Sequence, residues 1–212
     1  MIITKQKNFD EILRVLGNDP VFLIGCSKCA TLCHTGAEDE ILAMKESLEK
    51  RKIPVSGYVV LDPACHLQNS KRMLKEHTKG LENINKILVF ACGNGVQTVA
   101  EIFVEKEVLT GTDTLFLGEI SHANEFDKRC VLCGECLLDL FGGICPVSRC
   151  PKSMVNGPCG GASGGKCEIN SELECVWDRI YQVLKKQGNL QTLSVIQKPK
   201  DWSKAGELKR RV

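Results

Sequence analysis

The sequence predicts an α/β protein, with a small doubly wound parallel sheet followed by a C-terminal cysteine-rich metal-binding domain. Three observations carry this expectation. Strand-like and helix-like hydrophobic patterns alternate up to about residue 120. Beyond that point periodicity gives way to glycine and cysteine. Finally, 13 of the 212 residues are cysteine. The expected organisation is an α/β domain over 1–120, a cysteine-rich domain over 121–195 and a basic tail over 196–212.

The elements are read in chain order. Phe9, Ile12, Leu13 and Leu16 recur at helical spacing behind Asn8, a residue suited to capping. Val21 to Ile24 is a wholly apolar run ended by Gly25, the mark of a buried strand. Ile41, Met44 and Leu48 share one face of a helix over 38–50. A strand over 55–61, a helix after Pro63 and a strand over 87–90 follow. Val96, Val99, Ala100 and Phe103 stripe another helix, and 114–117 reads as the fourth strand. Strands alternating with helices imply parallel crossovers, because a parallel pair needs a long connection. Late in the chain, Trp177, Ile180, Tyr181 and Leu184 stripe a closing helix. Lys209, Arg210 and Arg211 end the basic tail, either a solvated terminus or a strand that docks on a partner.

Composition narrows the function. Hydrophobic residues make up 43% and charged residues 25%, which is ordinary globular usage. A net charge of +2 lacks the basic excess of a nucleic-acid binder. No run approaches the ~18 apolar residues that span a bilayer, so no membrane insertion is expected. The start, MIITKQKNFDEI, lacks a charged-then-apolar leader, and a cytoplasmic location is expected. In a reducing compartment, closely spaced cysteines are more often metal ligands than disulfides.

Five cysteines sit at predicted strand ends. Cys26, Cys29 and Cys33 follow the first strand of the alternating region, Cys65 follows the second and Cys92 the third. In an open parallel sheet these ends line one edge, where ligand crevices form. Cys26, Cys29 and Cys33 with Cys65 or Cys92 would offer four thiolates to an iron–sulfur cubane or to zinc. The alternatives are that Cys65 and Cys92 are buried small hydrophobes, or that Cys26 and Cys29 form a redox dithiol. His34 and His66 are left unassigned, and Gly93-Asn94-Gly95 only loosely resembles a phosphate-cradling turn.

The second field opens with Cys130-x2-Cys133-x2-Cys136, a spacing by which one short loop grips three corners of a cubane. Gly134 would relieve crowding there. Cys145, Cys150, Cys159, Cys167 and Cys175 bring the field to eight thiolates, enough for two cubanes or for one cubane and one zinc. The gaps do not decide which cysteine completes which site. No Ser-His-Asp set, catalytic carboxylate pair or flavin fingerprint is present, as expected of an electron carrier serving chemistry done elsewhere.

The stretch CVLCGECLLDLFGGICPVSRCPKSMVNGPCGG, together with GKCE and the later Cys175-Val176-Trp177, resembles the C-terminal domain associated with methylenetetrahydrofolate reductase. IGCSKCATLCHTGAEDE and FACGNGVQTVAE are similar to the preceding part of the MetV-type small iron–sulfur subunits. The resemblance implies a non-catalytic electron-transfer subunit of an oxidoreductase complex, acting in the methyl branch of the Wood–Ljungdahl pathway. Its partners would be a flavin-containing catalytic subunit, which holds FMN, and an upstream electron donor protein. The cysteines would then hold two [4Fe–4S] clusters and one zinc. The competing expectation is a zinc-stabilised scaffold module without a redox role.

Overall fold

The computed structural model describes residues 1–206. The chain divides into two compact units, Met1–Phe116 and Leu117 onward. The first contains β1 (Ile2–Gln6), α1 (Phe9–Leu16), β2 (Val21–Cys26), the single turn α2 (Cys29–Leu32), α3 (Glu38–Lys50) and β3 (Val55–Leu61). It continues with α4 (Leu67–Leu74), a 3-10 turn at Lys75–His77, α5 (Thr78–Leu81), β4 (Lys86–Val89), α6 (Gly93–Ile102) and β5 (Glu107–Thr110). The chain then passes along β6 (Thr112–His122) into the second unit, which holds β7 (Glu125–Cys130), α7 (Pro146–Arg149) and α8 (Val176–Gln187).

Four parallel strands form one sheet in the order β3-β2-β4-β5. All six residues of β2 are buried, as a central strand covered on both faces must be. Its alternate residues serve two cores. Phe22 and Ile24 pack with Leu74, Leu81 and Val99, from α4, α5 and α6. Val21 and Leu23 pack with Ile12, Leu16, Ile41, Met44 and Leu48, from α1 and α3. Helices therefore cover both faces, and the strand order reverses between β2 and β4.

The structure departs from expectation at the fourth strand. That place in the parallel sheet belongs to Glu107–Thr110, a short segment whose alternation is masked by charged Glu105, Lys106 and Glu107. Residues 114–117 lie instead within β6, in a three-stranded sheet of order β1-β6-β7 with β6 and β7 antiparallel. Asn124, at the turn between them, takes a φ of 63°.

Among the described residues the second unit has one small core. Phe141, Ile144, Val176, Trp177, Ile180 and Leu184 are buried together. Trp177 meets Phe141 edge-on at 5.3 Å and donates its indole N–H to the Met154 carbonyl at 3.1 Å. α8 stops where Gly188 adopts the left-handed conformation, with a φ of 72°. Among the described residues no helix is long and apolar enough to cross a membrane.

Candidate metal centres

All thirteen cysteines are free thiols. In the first unit the sheet gathers four of them at the edge where the strand order reverses, the position at which open α/β sheets hold ligands. Cys26 ends β2 and is in register with Leu61 at the end of β3. Cys65 lies four residues beyond that partner, and Cys92 caps α6 just after β4. Burial raises the Cys65 thiol above its ordinary pKa, and the nearby Cys92, Cys26 and Cys29 raise it further. Only groups sharing one locality influence each other in this way.

Cys33 is directed elsewhere. Its thiol points to the Ile2 carbonyl of β1 at 3.8 Å, and the residue is buried. The next turn is tied to the same strand, since Thr35 and Thr4 share a buried hydroxyl hydrogen bond of 2.7 Å. The gathered set is thus Cys26, Cys29, Cys65 and Cys92, with both strand-end cysteines present and the third loop cysteine turned aside.

Several neighbours hold this edge together. Ser27 donates to Asp62 at 2.6 Å and Lys28 pairs with the same carboxylate at 2.7 Å, so the loop after β2 is clasped to the loop after β3. Lys28, then Ser27, hold the Asp62 carboxyl below its ordinary range. His66 spends its Nδ1 accepting the Asn69 N–H at 3.2 Å, which caps α4. Gly93 donates its N–H to Thr114 at 2.8 Å. Gly95 is buried because a Cβ there would sit 2.8 Å from Ala91 Cβ and 3.0 Å from Ala64 Cβ. The glycines of this turn let α6 lie close on the Cys65 loop.

In the second unit the Cys130–Cys136 loop is wound by two left-handed residues, Leu132 at φ 55° and Gly134 at φ 77°. That winding turns the Leu132 N–H onto the Cys130 sulfur at 3.3 Å, the kind of amide-to-sulfur bond that stabilises thiolate charge. Ser148 of α7 donates to the Arg129 carbonyl at 2.7 Å, docking α7, which Cys145 caps, against the end of β7. Cys145 is thereby brought to the side of the loop. The room made by Gly134 is used by the backbone of Lys204, whose carbonyl would stand 2.6 Å from a Cβ. Lys204 also pairs with Glu135 at 2.6 Å, and Lys200, almost fully buried, donates to the Glu135 carbonyl. The described part of the expected tail therefore lies on this loop, while Lys209, Arg210 and Arg211 fall outside the described residues.

The other four cysteines, Cys150, Cys159, Cys167 and Cys175, line one cavity. The space between its walls is about 20 Å³, room for a single-atom body, since roughly 10–15 Å³ of such space admits one water. Arg149 lines the same cavity and has no ion-pair partner among the described residues. Burial lowers its pKa, and repulsion from Arg129 and Arg179 lowers it further. The Arg129 Nε is buried without an acceptor. The Arg149 guanidinium, which also feels Asp127 and Glu174, stands beside four thiols, as suits a dianionic metal tetrathiolate.

Among the described residues, no three His, Cys, Asp or Glu side chains converge as ligands of one ion. A cubane asks for a wider cage, because each thiolate binds a different iron.

An α/β unit followed by a glycine–cysteine unit defines the broad class of this protein. Residues 109–203 match a family described as methylene-tetrahydrofolate reductase C terminal, a stretch under half of the chain that covers nearly all of the second unit's described residues. The match relates that unit to methylenetetrahydrofolate reductases, and so to oxidoreductases. No curated protein and no solved structure matches the chain.

Proposed function

We propose that this chain is the iron–sulfur electron-transfer subunit of a cytoplasmic methylenetetrahydrofolate reductase. It would hand electrons to the flavin of a catalytic partner that reduces methylenetetrahydrofolate to methyltetrahydrofolate. The reading is supported above all by the gathering of Cys26, Cys29, Cys65 and Cys92 at the switch point of the sheet. Three separate stretches of chain bring thiols to one place, which burial of small hydrophobes alone does not require.

The residues divide by what each set suits. Cys26, Cys29, Cys65 and Cys92 hold one [4Fe–4S] cluster. Cys130, Cys133, Cys136 and Cys145 hold a second, in a loop whose left-handed turns aim the Leu132 amide at the Cys130 sulfur. Cys150, Cys159, Cys167 and Cys175 hold zinc, in a space sized for one ion. Cys33 is left as a packed thiol. The clusters, when bound, supply one-electron transfer and no acid–base chemistry. The methyl branch of the Wood–Ljungdahl pathway is the metabolic setting that this reading carries with it.

The test is iron, zinc and acid-labile sulfide per chain on anaerobically purified protein, together with its absorption spectrum. About eight irons and one zinc are expected, because twelve thiolates fill two cubanes and one tetrahedral site. Zinc without iron or sulfide, even after reconstitution, would replace this reading with the zinc-stabilised scaffold.

A further inference from the structure

The first unit carries an open groove of about 670 Å³ between α4, α5 and the C-terminal end of α6. Its floor is apolar, made by Leu74, Leu81, Ile102 and Phe103. Its rim is cationic, with Lys71, Arg72, Lys75 and Lys106 set against the single acid Glu82. None of the four cations has a carboxylate partner among the described residues. Arg72 reaches only the Asn69 side chain, and Lys106 only the Ile84 carbonyl. Elsewhere in the unit Lys7, Lys28, Lys45, Lys50 and Lys86 each hold an acid, whereas Lys5, Arg14, Arg51, Lys52 and Lys79 have no ion pair among the described residues, so what sets the groove apart is four such cations on one rim. Lys71 and Lys75 are one helical turn apart, a like-charge spacing that costs stability while it stays unanswered.

We propose that this groove docks an acidic one-electron carrier protein that reduces the centre at Cys26, Cys29, Cys65 and Cys92. The proposal rests on the reading of that centre as a cluster. An apolar floor inside a charged rim is the anatomy of a protein interface, and unanswered lysines select an acidic face by complementarity. The location selects an electron carrier. Both helices that wall the groove start at the centre, α4 directly after Cys65 and His66, and α6 directly after Cys92. Gln68, at the near end of the groove, is three residues from Cys65. The α4 wall then runs away from the centre for only about 10 Å, at 1.5 Å per residue. A carrier seated there stands on the same side of the sheet as α4 and α6. One electron leaves the reduced carrier and one enters the oxidised cluster. No bond forms or breaks, and no proton moves.

The test uses the full chain, purified without oxygen, and an acidic bacterial ferredoxin as probe. Bleaching of the cluster absorbance by the reduced ferredoxin is followed by stopped flow at low and at high ionic strength. The Lys71→Glu/Lys75→Glu variant should react about tenfold more slowly at low salt and lose most of the salt dependence, because charge complementarity acts chiefly on association. The Lys71→Arg/Lys75→Arg variant should keep the wild-type rate. Iron content and bleaching by dithionite should be unchanged in both. A charge-reversed variant that still reacts with ferredoxin at the wild-type rate, with iron intact, would overturn the docking site. A wild-type chain that dithionite bleaches and ferredoxin does not would overturn it equally. If Cys65→Ala loses no iron, it is the cluster reading that fails, and the docking proposal falls with it.

Discussion

Cys33 shows how a neighbouring strand can compete with a cysteine spacing for a single side chain. Cys26-x2-Cys29-x3-Cys33 reads as one three-thiol loop, yet the last thiol faces the Ile2 carbonyl of β1. The reason lies in an element that the hydrophobic pattern did not announce. β1 has only two buried residues among its five, and one of them is Thr4, which binds Thr35. Cys65, by contrast, is a candidate from its place after a strand, and its thiol feels Cys92, Cys26 and Cys29 nearby. The two cysteines should therefore separate by experiment. Cys65→Ala is expected to cost about four irons per chain, whereas Cys33→Ser should keep them, as read by iron and sulfide assays after identical reconstitution. Equal loss from both would restore Cys33 to the ligand set.

At the scale of elements, the alternating region was readable because buried parallel strands are continuous apolar runs and their covering helices repeat at 3.6 residues. β2, β4 and α3 follow that pattern, and β3, interrupted by Ser56 and Gly57, follows it only from Tyr58 to Leu61. β5 and the β6–β7 hairpin do not, since β6 exposes Asp113, Thr114 and Leu115 in succession and β5 begins at exposed Glu107. The helix that matters most for the site is α6, whose N-terminus fits the Cys65 loop only because residue 95 lacks a side chain. Gly95→Ala would gain about 1 kcal/mol of helix propensity. Against that stands overpacking against Ala91 and Ala64, which costs about 1–3 kcal/mol. A net loss of about 1 kcal/mol is expected, seen as a lower urea midpoint, together with reduced iron occupancy. Asn94→Ala, one residue away and exposed, should leave both unchanged. Unaltered stability in the Gly95 variant would mean that α6 is free to shift.

At the scale of the whole molecule, the two units differ in what can hold them. The first buries both faces of a four-stranded sheet. Among its described residues the second has a single small core around Trp177 and two glycine-rich loops, too little apolar surface for independent stability without staples. In the proposed reading, metal binding there would supply folding free energy. Stripping metal with a chelator under reducing conditions should open residues 130–175 to protease, while a fragment close to Met1–Phe116 persists. Uniform digestion of both units, or none in the second, would contradict this. The composition shift is what raises the expectation of a staple. The partition of eight thiols was not legible in the sequence, because it depends on which loops face one cavity. The cover that Lys200 and Lys204 lay over Gly134 and Glu135 also has a consequence in time. A ribosome adding 5–20 residues per second needs roughly 4–14 s to travel from Gly134 to Lys204. During that interval the loop stands bare, so in the proposed reading a cluster would be loaded most easily while the chain is still being made, before Lys200 and Lys204 cover the loop.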